Sequence, residues 1–131
     1  MKVSGILETS LYVDDLDKAL KFYGEILGLE FVSREKDRHV FFRCGGSMFL
    51  LFNPEMTEMS EEVPDHGARG AGHVAFSVDS SDIPDWIEFL KERGVAIEAD
   101  VSFSRGRSIY FRDPSGNSVE ITTPKIWNME E

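Results

Sequence analysis

The sequence predicts an α+β fold made of two tandem β-α-β-β-β modules, and three observations predict it. The first is a hairpin written twice. Arg38-His39-Val40-Phe41-Phe42-Arg43, a Gly45-Gly46 turn and Met48-Phe49-Leu50-Leu51 recur as Arg107-Ser108-Ile109-Tyr110-Phe111-Arg112, a Pro114-Ser115-Gly116 turn and Ser118-Val119-Glu120-Ile121, with one extra residue in the second turn. The second is the match upstream of the hairpins: Glu8 stands five residues before Val13-Asp14, and His73 five before Val78-Asp79. The third is the change of period in each half, from the alternation of a strand to the spacing of a helix.

Taken in order, Ile6 to Val13 alternates, with Leu7, Thr9, Leu11 and Val13 on one face and Glu8, Ser10 and Tyr12 on the other. That is a half-buried strand. Asp14 or Asp15 caps a helix carrying Leu16, Ala19, Leu20, Tyr23 and Leu27, and Gly28 supplies the left-handed residue that ends it. Strands follow near Glu30–Arg34, His39–Arg43 and Met48–Phe52. Asn53 to Ala71 lacks periodicity and reads as a linker. The second module opens with a strand over His73–Val78. Ser80, Ser81 or Asp82 caps a helix with Pro84 in its first turn, an Ile87, Leu90 and Trp86 stripe, and Gly94 at its end. Strands near Ile97–Phe103, Ser108–Arg112 and Ser118–Thr123 complete it. The expected domain is a single one over 1–131, with module 1 at about 5–53, a linker at 54–71, module 2 at 72–124 and a tail at 125–131. Each helix covers one sheet face, so the uncovered faces are expected to join in a cupped, incompletely closed mixed β-sheet with helices outside.

Composition narrows the function. There are 24 acidic against 14 basic residues, a net charge of −10. That opposes a nucleic-acid partner, since phosphate binding needs a basic surface. No apolar run is long enough for a bilayer, so no membrane partner is expected. The single cysteine, Cys44, allows no internal disulfide and fits a cytoplasmic location. Cys44 has no His–Asp company in sequence and is not expected to be a catalytic thiol.

The alternation puts Glu8, Ser10, Tyr12, His73, Ala75, Ser77 and Glu120 on inward strand faces, with Glu8 and His73 at equivalent positions and Leu50 opposite Glu120 in the repeat. Glu8, His73 and Glu120 form a mixed, mostly hard ligand set for one divalent ion: Mn, Fe, Co, Ni or Zn. Such a set leaves positions open for two adjacent substrate oxygens. The competing reading is a salt bridge from Arg43 or Arg112, both of which recur in the repeat and would neutralise Glu8 and Glu120 without metal. If a proton must be taken, Glu8 or Glu120 is the candidate base, so these two are the candidate catalytic residues. Ser10, Tyr12, Phe52, Tyr110 and Arg112 are the candidate substrate-binding residues, and Phe103 also falls on a face that lines a cleft. Phe31, Phe41, Phe42, Phe49, Phe76, Phe89 and Phe111 are expected mainly in the core. His39 reads as a plain strand residue and His66 as an exposed loop residue. The acidic run Glu58-Met59-Ser60-Glu61-Glu62 reads as a solvated loop, with a lid over the cleft as the sharper alternative.

Three segments then carry a family resemblance. Glu8-Thr9-Ser10-Leu11-Tyr12-Val13-Asp14-Asp15-Leu16-Asp17-Lys18-Ala19, with Phe22-Tyr23 and Ile26-Leu27-Gly28-Leu29, resembles the first module of the vicinal oxygen chelate superfamily. This is the group of glyoxalases, bleomycin-resistance proteins and extradiol dioxygenases. Gly72-His73-Val74-Ala75-Phe76-Ser77-Val78 resembles its third-ligand strand. Tyr110-Phe111-Arg112-Asp113-Pro114-Ser115-Gly116-Asn117-Ser118-Val119-Glu120-Ile121 resembles its F-x-D-P-x-G-x-x-x-E signature. The resemblance runs from Ile6 to Pro124 and implies a glyoxalase-like fold.

It also implies metal positions at Glu8, Leu50, His73 and Glu120, of which Leu50 cannot ligate. Glutathione-dependent glyoxalase I uses all four positions. Fosfomycin-modifying transferases and extradiol dioxygenases use the first, third and fourth, with His where this chain has Glu8. Tyr110 matches a substrate-contacting tyrosine of the fosfomycin enzymes, whereas their basic residue after the last strand has no match in Ile126-Trp127-Asn128-Met129. The implied function is a metal-dependent lyase, isomerase or thiol transferase that chelates a small oxygenated substrate; ring cleavage fits least, for want of a further inward histidine. The alternative is a metal-free protein that sequesters a cationic small molecule, as bleomycin-resistance proteins do. The family's habit also implies a homodimer, with each site formed within one chain or across two. Trp127 and the apolar tail would pack across that interface or cover a sheet edge.

Overall fold

The computed structural model describes residues 1–2, 4–57 and 64–131. The acidic run expected to be a solvated loop or a lid, Glu58 to Glu62, lies outside the described residues. The fold is α+β. The chain divides into two compact units, Met1–Gly72 and His73–Glu131.

The first unit contains β1 (Glu8–Tyr12), α1 (Leu16–Leu20), β2 (Glu30–Glu35), β3 (His39–Cys44), β4 (Ser47–Phe52) and the short helix α2 (Pro54–Thr57). Its sheet has the order β1-β4-β3-β2, with β1 parallel to β4 and the other pairs antiparallel. The second unit contains β5 (His73–Ser77), α3 (Ile83–Glu92), β6 (Ile97–Phe103), β7 (Gly106–Arg112) and β8 (Ser118–Thr122). Its sheet repeats the plan as β5-β8-β7-β6, with β5 parallel to β8. The likeness reaches the irregularities: pairing shifts register between Phe31 and Ser33 in one unit and between Ile97 and Ala99 in the other.

Local chemistry explains the helices. Asp15 is the N-cap of α1, and its side chain accepts from the Lys18 amide at 2.9 Å. After Leu20 the winding widens: the Leu27 amide bonds the Phe22 carbonyl five residues back at 3.0 Å. This widening turns both Phe22 and Tyr23 into the core, where the sequence spacing predicted Tyr23 alone in the stripe. Gly28, at φ 73°, takes the left-handed position, and the Leu29 amide reaches the Tyr23 carbonyl at 3.0 Å. The start of α3 differs from expectation. A single 3₁₀ turn over Ser80–Asp82 precedes it, with no side-chain cap from Asp79 or Asp82. Instead, the Ser80 amide donates to the Glu131 carboxylate at 2.6 Å, a partner from the tail that local sequence does not announce.

Each unit has its own core. Leu16, Ala19, Phe22 and Tyr23 pack with Val40, Phe42, Phe49 and Leu51 in the first, and Ile83, Ile87 and Leu90 with Ile109, Phe111, Val119 and Ile121 in the second. Burying one such side chain contributes roughly 1.5–3 kcal/mol. These strand residues alternate with the set opposite the helices, which is therefore the face available for chemistry. Phe31 departs from the core reading. It lies on β2 at 52% exposure, beside Val32.

Candidate metal centre

Register builds the site in the second unit. Glu120 on β8 stands between Ala75 on β5 and Tyr110 on β7, and His73 pairs with Ser118 two residues along. The Glu120 carboxylate is buried at 8% exposure, and its oxygen lies 3.3 Å from His73 Nε2. The His73 and Tyr110 rings stack with centroids 6.5 Å apart. Burial raises the Tyr110 phenol above its usual range, and the neighbouring Glu120 carboxylate raises it further, against an opposing hydrogen bond from Ser108. Beside the pair, Ser108 and Thr122 share a buried hydrogen bond of 2.7 Å.

These residues open onto a cleft of about 520 Å³, walled by Phe103, Arg105, Thr122 and Trp127 as well as by His73, Tyr110 and Glu120. Trp127 lines the cleft while 75% exposed. Sequence reading missed Arg105 and Ile126 as cleft residues altogether. The signal was present in the tail: Thr123 accepts from the Lys125 amide at 3.2 Å and starts a 3₁₀ turn over Pro124–Trp127. A Thr-Pro pair is a helix-start motif.

The structure removes the salt-bridge reading. Arg112 is held by Glu98, with guanidinium contacts of 2.6 and 2.9 Å. Arg43 faces Glu30 at 3.9 Å in the equivalent place. Both arginines are matched by the edge strand of their own sheet, and among the described residues no arginine or lysine pairs with Glu120. The Glu98 contact also occupies the guanidinium of Arg112, which was a candidate substrate contact.

In the first unit, Glu8 lies exposed at the start of β1, level with Met48, and Leu50 pairs with Ser10. Ser10 Oγ donates to the His66 carbonyl. Gly67 presses on Tyr12 so closely that an added Cβ would meet its ring at 2.4 Å. The His66 ring lies 5.2 Å from Phe52, and its Nδ1 is buried with no hydrogen-bond partner. His66 is therefore half-buried, not exposed as the sequence suggested: the end of the linker folds back over Ser10, Tyr12 and Phe52. His39 is buried as well, stacked on Phe41 at 3.8 Å and 2.7 Å from Arg38 Nη1. Burial, helped by the Arg38 charge, lowers its pKa, with Glu35 opposing. Burial likewise pushes the Cys44 thiol up, which fits an unreactive cysteine.

His73 and Glu120, 3.3 Å apart, are an imidazole and a carboxylate of the types that hold a divalent ion, but among the described residues no group of three His, Cys, Asp or Glu side chains is gathered as a metal site. A model of the Glyoxalase/Bleomycin resistance protein/Dioxygenase superfamily matches residues 5–121. The chain belongs to that superfamily. Among the superfamily's curated members, the metallothiol transferase FosB of Staphylococcus haemolyticus is 30% identical over 126 residues, covering 95% of this chain and 86% of the relative. FosB of Bacillus licheniformis is 28% identical and covers 97% and 80%. Among solved superfamily structures, the lactoylglutathione lyase of Agrobacterium tumefaciens superposes with a TM-score of 0.93 at 38% identity, over 98% of this chain and 100% of that one. The glyoxalase-like fold is thereby shown. Among the described residues no helix is long and apolar enough to cross a membrane.

Proposed function

We propose that this superfamily member is a metal-dependent enzyme of the lyase or thiol-transferase type. Its substrate is a small molecule that presents two adjacent oxygens to a divalent ion held by Glu8, His73 and Glu120. The observation that supports this most is the Glu120 carboxylate, buried beside His73 while the nearby arginine is engaged by Glu98. A buried carboxylate without an arginine or lysine partner is costly, so a site that places it beside an imidazole is suited to a metal. Both named relatives work on thiol compounds, as metallothiol transferase and as lactoylglutathione lyase. Leu50, at the position of a fourth ligand, favours the transferase.

When bound, the ion supplies Lewis-acid polarisation of the substrate oxygens. The chain supplies the rest. Tyr110 keeps its proton through neutral pH and donates a hydrogen bond toward the reacting oxygen. Phe103 and Trp127 shield and stack on the substrate. Glu8 or Glu120 takes a proton when the reaction releases one. A homodimer in the cytoplasm belongs to the same reading and rests on the family's habit and the single cysteine.

Elemental analysis of the untagged protein beside Glu120→Gln and His73→Ala tests it. Near-stoichiometric divalent metal, lost in both variants at unchanged circular dichroism, is expected. Turnover of thiol with epoxide, or of a hemithioacetal, should then vanish in chelator and return with metal. No metal after incubation with Mn²⁺, Ni²⁺ and Zn²⁺, or full activity in chelator, would sink the proposal. The aromatic wall of His39, Phe41, Phe52 and His66 in the first unit favours the second reading, metal-free sequestration of a small molecule. That reading expects tight binding of a cationic aromatic ligand that persists in chelator.

A further inference from the structure

Arg105 is the exception among the arginines of this acidic chain. Arg34 is paired with Asp17, Arg38 with Glu35, Arg43 with Glu30, Arg107 with Asp100 and Arg112 with Glu98. Arg93 lies over the Phe89 ring. Arg105 alone among the described arginines of the second unit has no ion pair, hydrogen bond or ring contact, and it is the one that lines the cleft with His73, Tyr110 and Glu120. Its neighbour Arg107, two residues on, is gripped through two nitrogens by Asp100 at 2.7 and 2.5 Å. Arg105 is therefore left free on the turn before β7, while Arg107 on the strand is fixed.

Its position is built, not incidental. The turn between β6 and β7 is locked against the tail at Gly106: a Cβ there would meet Thr123 Cγ2 at 2.6 Å and Ile126 Cγ2 at 2.8 Å. Only a residue without a side chain allows that approach. The tail turn is tied down in its own right. The Glu131 carboxylate takes hydrogen bonds from Lys125 Nζ at 2.7 Å and from the Thr123 hydroxyl at 2.5 Å. Lys125 foremost, then Thr123 and Ser80, hold that carboxyl down at about 2. These contacts hold the turn and the tail together, and Arg105, Phe103 and Trp127 all line the cleft. A free guanidinium fork in a cleft that two aromatic side chains also line suits an oxyanion on a flat apolar body: the fork takes the anion and the rings take the body.

We propose that Arg105, with Trp127 and Phe103, forms an anion-recognising subsite of the cleft, so that the substrate carries an oxyanion group besides the part that meets the His73–Glu120 pair. This rests on the reading of the cleft as the substrate site. The subsite needs no metal, so it is tested in chelator, where failure of the metal reading does not affect the result. Benzoate and benzamide have nearly the same shape and differ in charge. Each is titrated into ¹⁵N-labelled protein in excess chelator while the Trp127 indole N–H is followed, assigned by its loss in Trp127→Phe. Benzoate is expected to bind at least tenfold more tightly than benzamide. Arg105→Gln should bring the two to equal affinity, and Arg105→Lys, a point charge without the fork, should keep part of the preference. The net charge of −10 repels anions overall, so a general field cannot produce this preference. Equal affinities in the unsubstituted protein, no shift with either ligand, or a preference that survives Arg105→Gln would overturn the proposal.

Discussion

Replacing Asp113 by alanine should destabilise the second unit's hairpin without touching a cleft residue. Asp113 Oδ1 accepts from the amides of Ser115 at 2.9 Å and Asn117 at 2.8 Å, and Oδ2 accepts from Asn117 Nδ2 at 2.9 Å. Asp113 and Asn117 are 4% and 2% exposed, so the donors at Asn117 have no water to turn to. Each orphaned buried donor costs about 1–3 kcal/mol. Ser115 is only part-buried and recovers some of its share from solvent. The sum is about 3 kcal/mol, against about 5–15 kcal/mol for a whole small protein. For a chain of this length that is roughly a 10 °C fall in Tm. Asp113→Asn retains an oxygen for the two amides but sets one amide nitrogen against another, so it should fall between. Chemical denaturation followed by circular dichroism measures both variants. A loss below about 1 kcal/mol for Asp113→Ala would refute the reasoning. So would an unchanged Tm with abolished activity, which would give Asp113 a role in chemistry.

Two further outcomes follow from the first unit. His39 has its pKa lowered in the folded state, so the unfolded chain binds its proton more tightly. Its contribution is complete above about 6.5 and is lost as pH falls through the lower folded value. The Tm should therefore fall from pH 7.5 to 5.5 in the natural protein, and less so in His39→Gln; equal falls would remove His39 as the cause. Gly67→Ala puts a methyl into the Tyr12 ring, so residues 64–67 must lift from the sheet face. Hydrogen exchange at Tyr12 and 64–70 should accelerate, and unchanged exchange would mean the ring simply moves aside.

The sequence made the two sheets legible because period and punctuation agree in both halves. Asp15, Gly28 and Gly94 stand where caps are needed, and buried Val40, Phe42, Ile109 and Phe111 alternate with the cleft-facing residues. The His73–Glu120 pair followed from the same alternation. What failed to show depends on long-range contacts. Nothing local says that Glu131 would serve the amide of Ser80, or that Gly106 would admit the tail. The linker hid a helix start at Asn53-Pro54, where Asn53 Oδ1 accepts from the Glu55 amide at 3.1 Å. Without a periodic stripe after it, the cap passed unread. His66 was misplaced for the same reason, since only the folded linker shows what its ring meets.

Leu50 and Glu120 occupy the same address in the two sheets, each facing an aromatic residue on the neighbouring strand, Phe41 in one case and Tyr110 in the other. In a duplicated architecture, such twin addresses relieve each other of duty. Once one copy keeps the acid, its twin is free to drift toward grease, and nothing in the backbone records the change. The contrast extends along the strand, where the buried ring of Phe52 holds the address that Thr122 holds in the other sheet. One half presents a wall of rings and the other a carboxylate with its imidazole. The spare address also leaves room for the reverse step, since a carboxylate at residue 50 would need no new strand, turn or register to find its place.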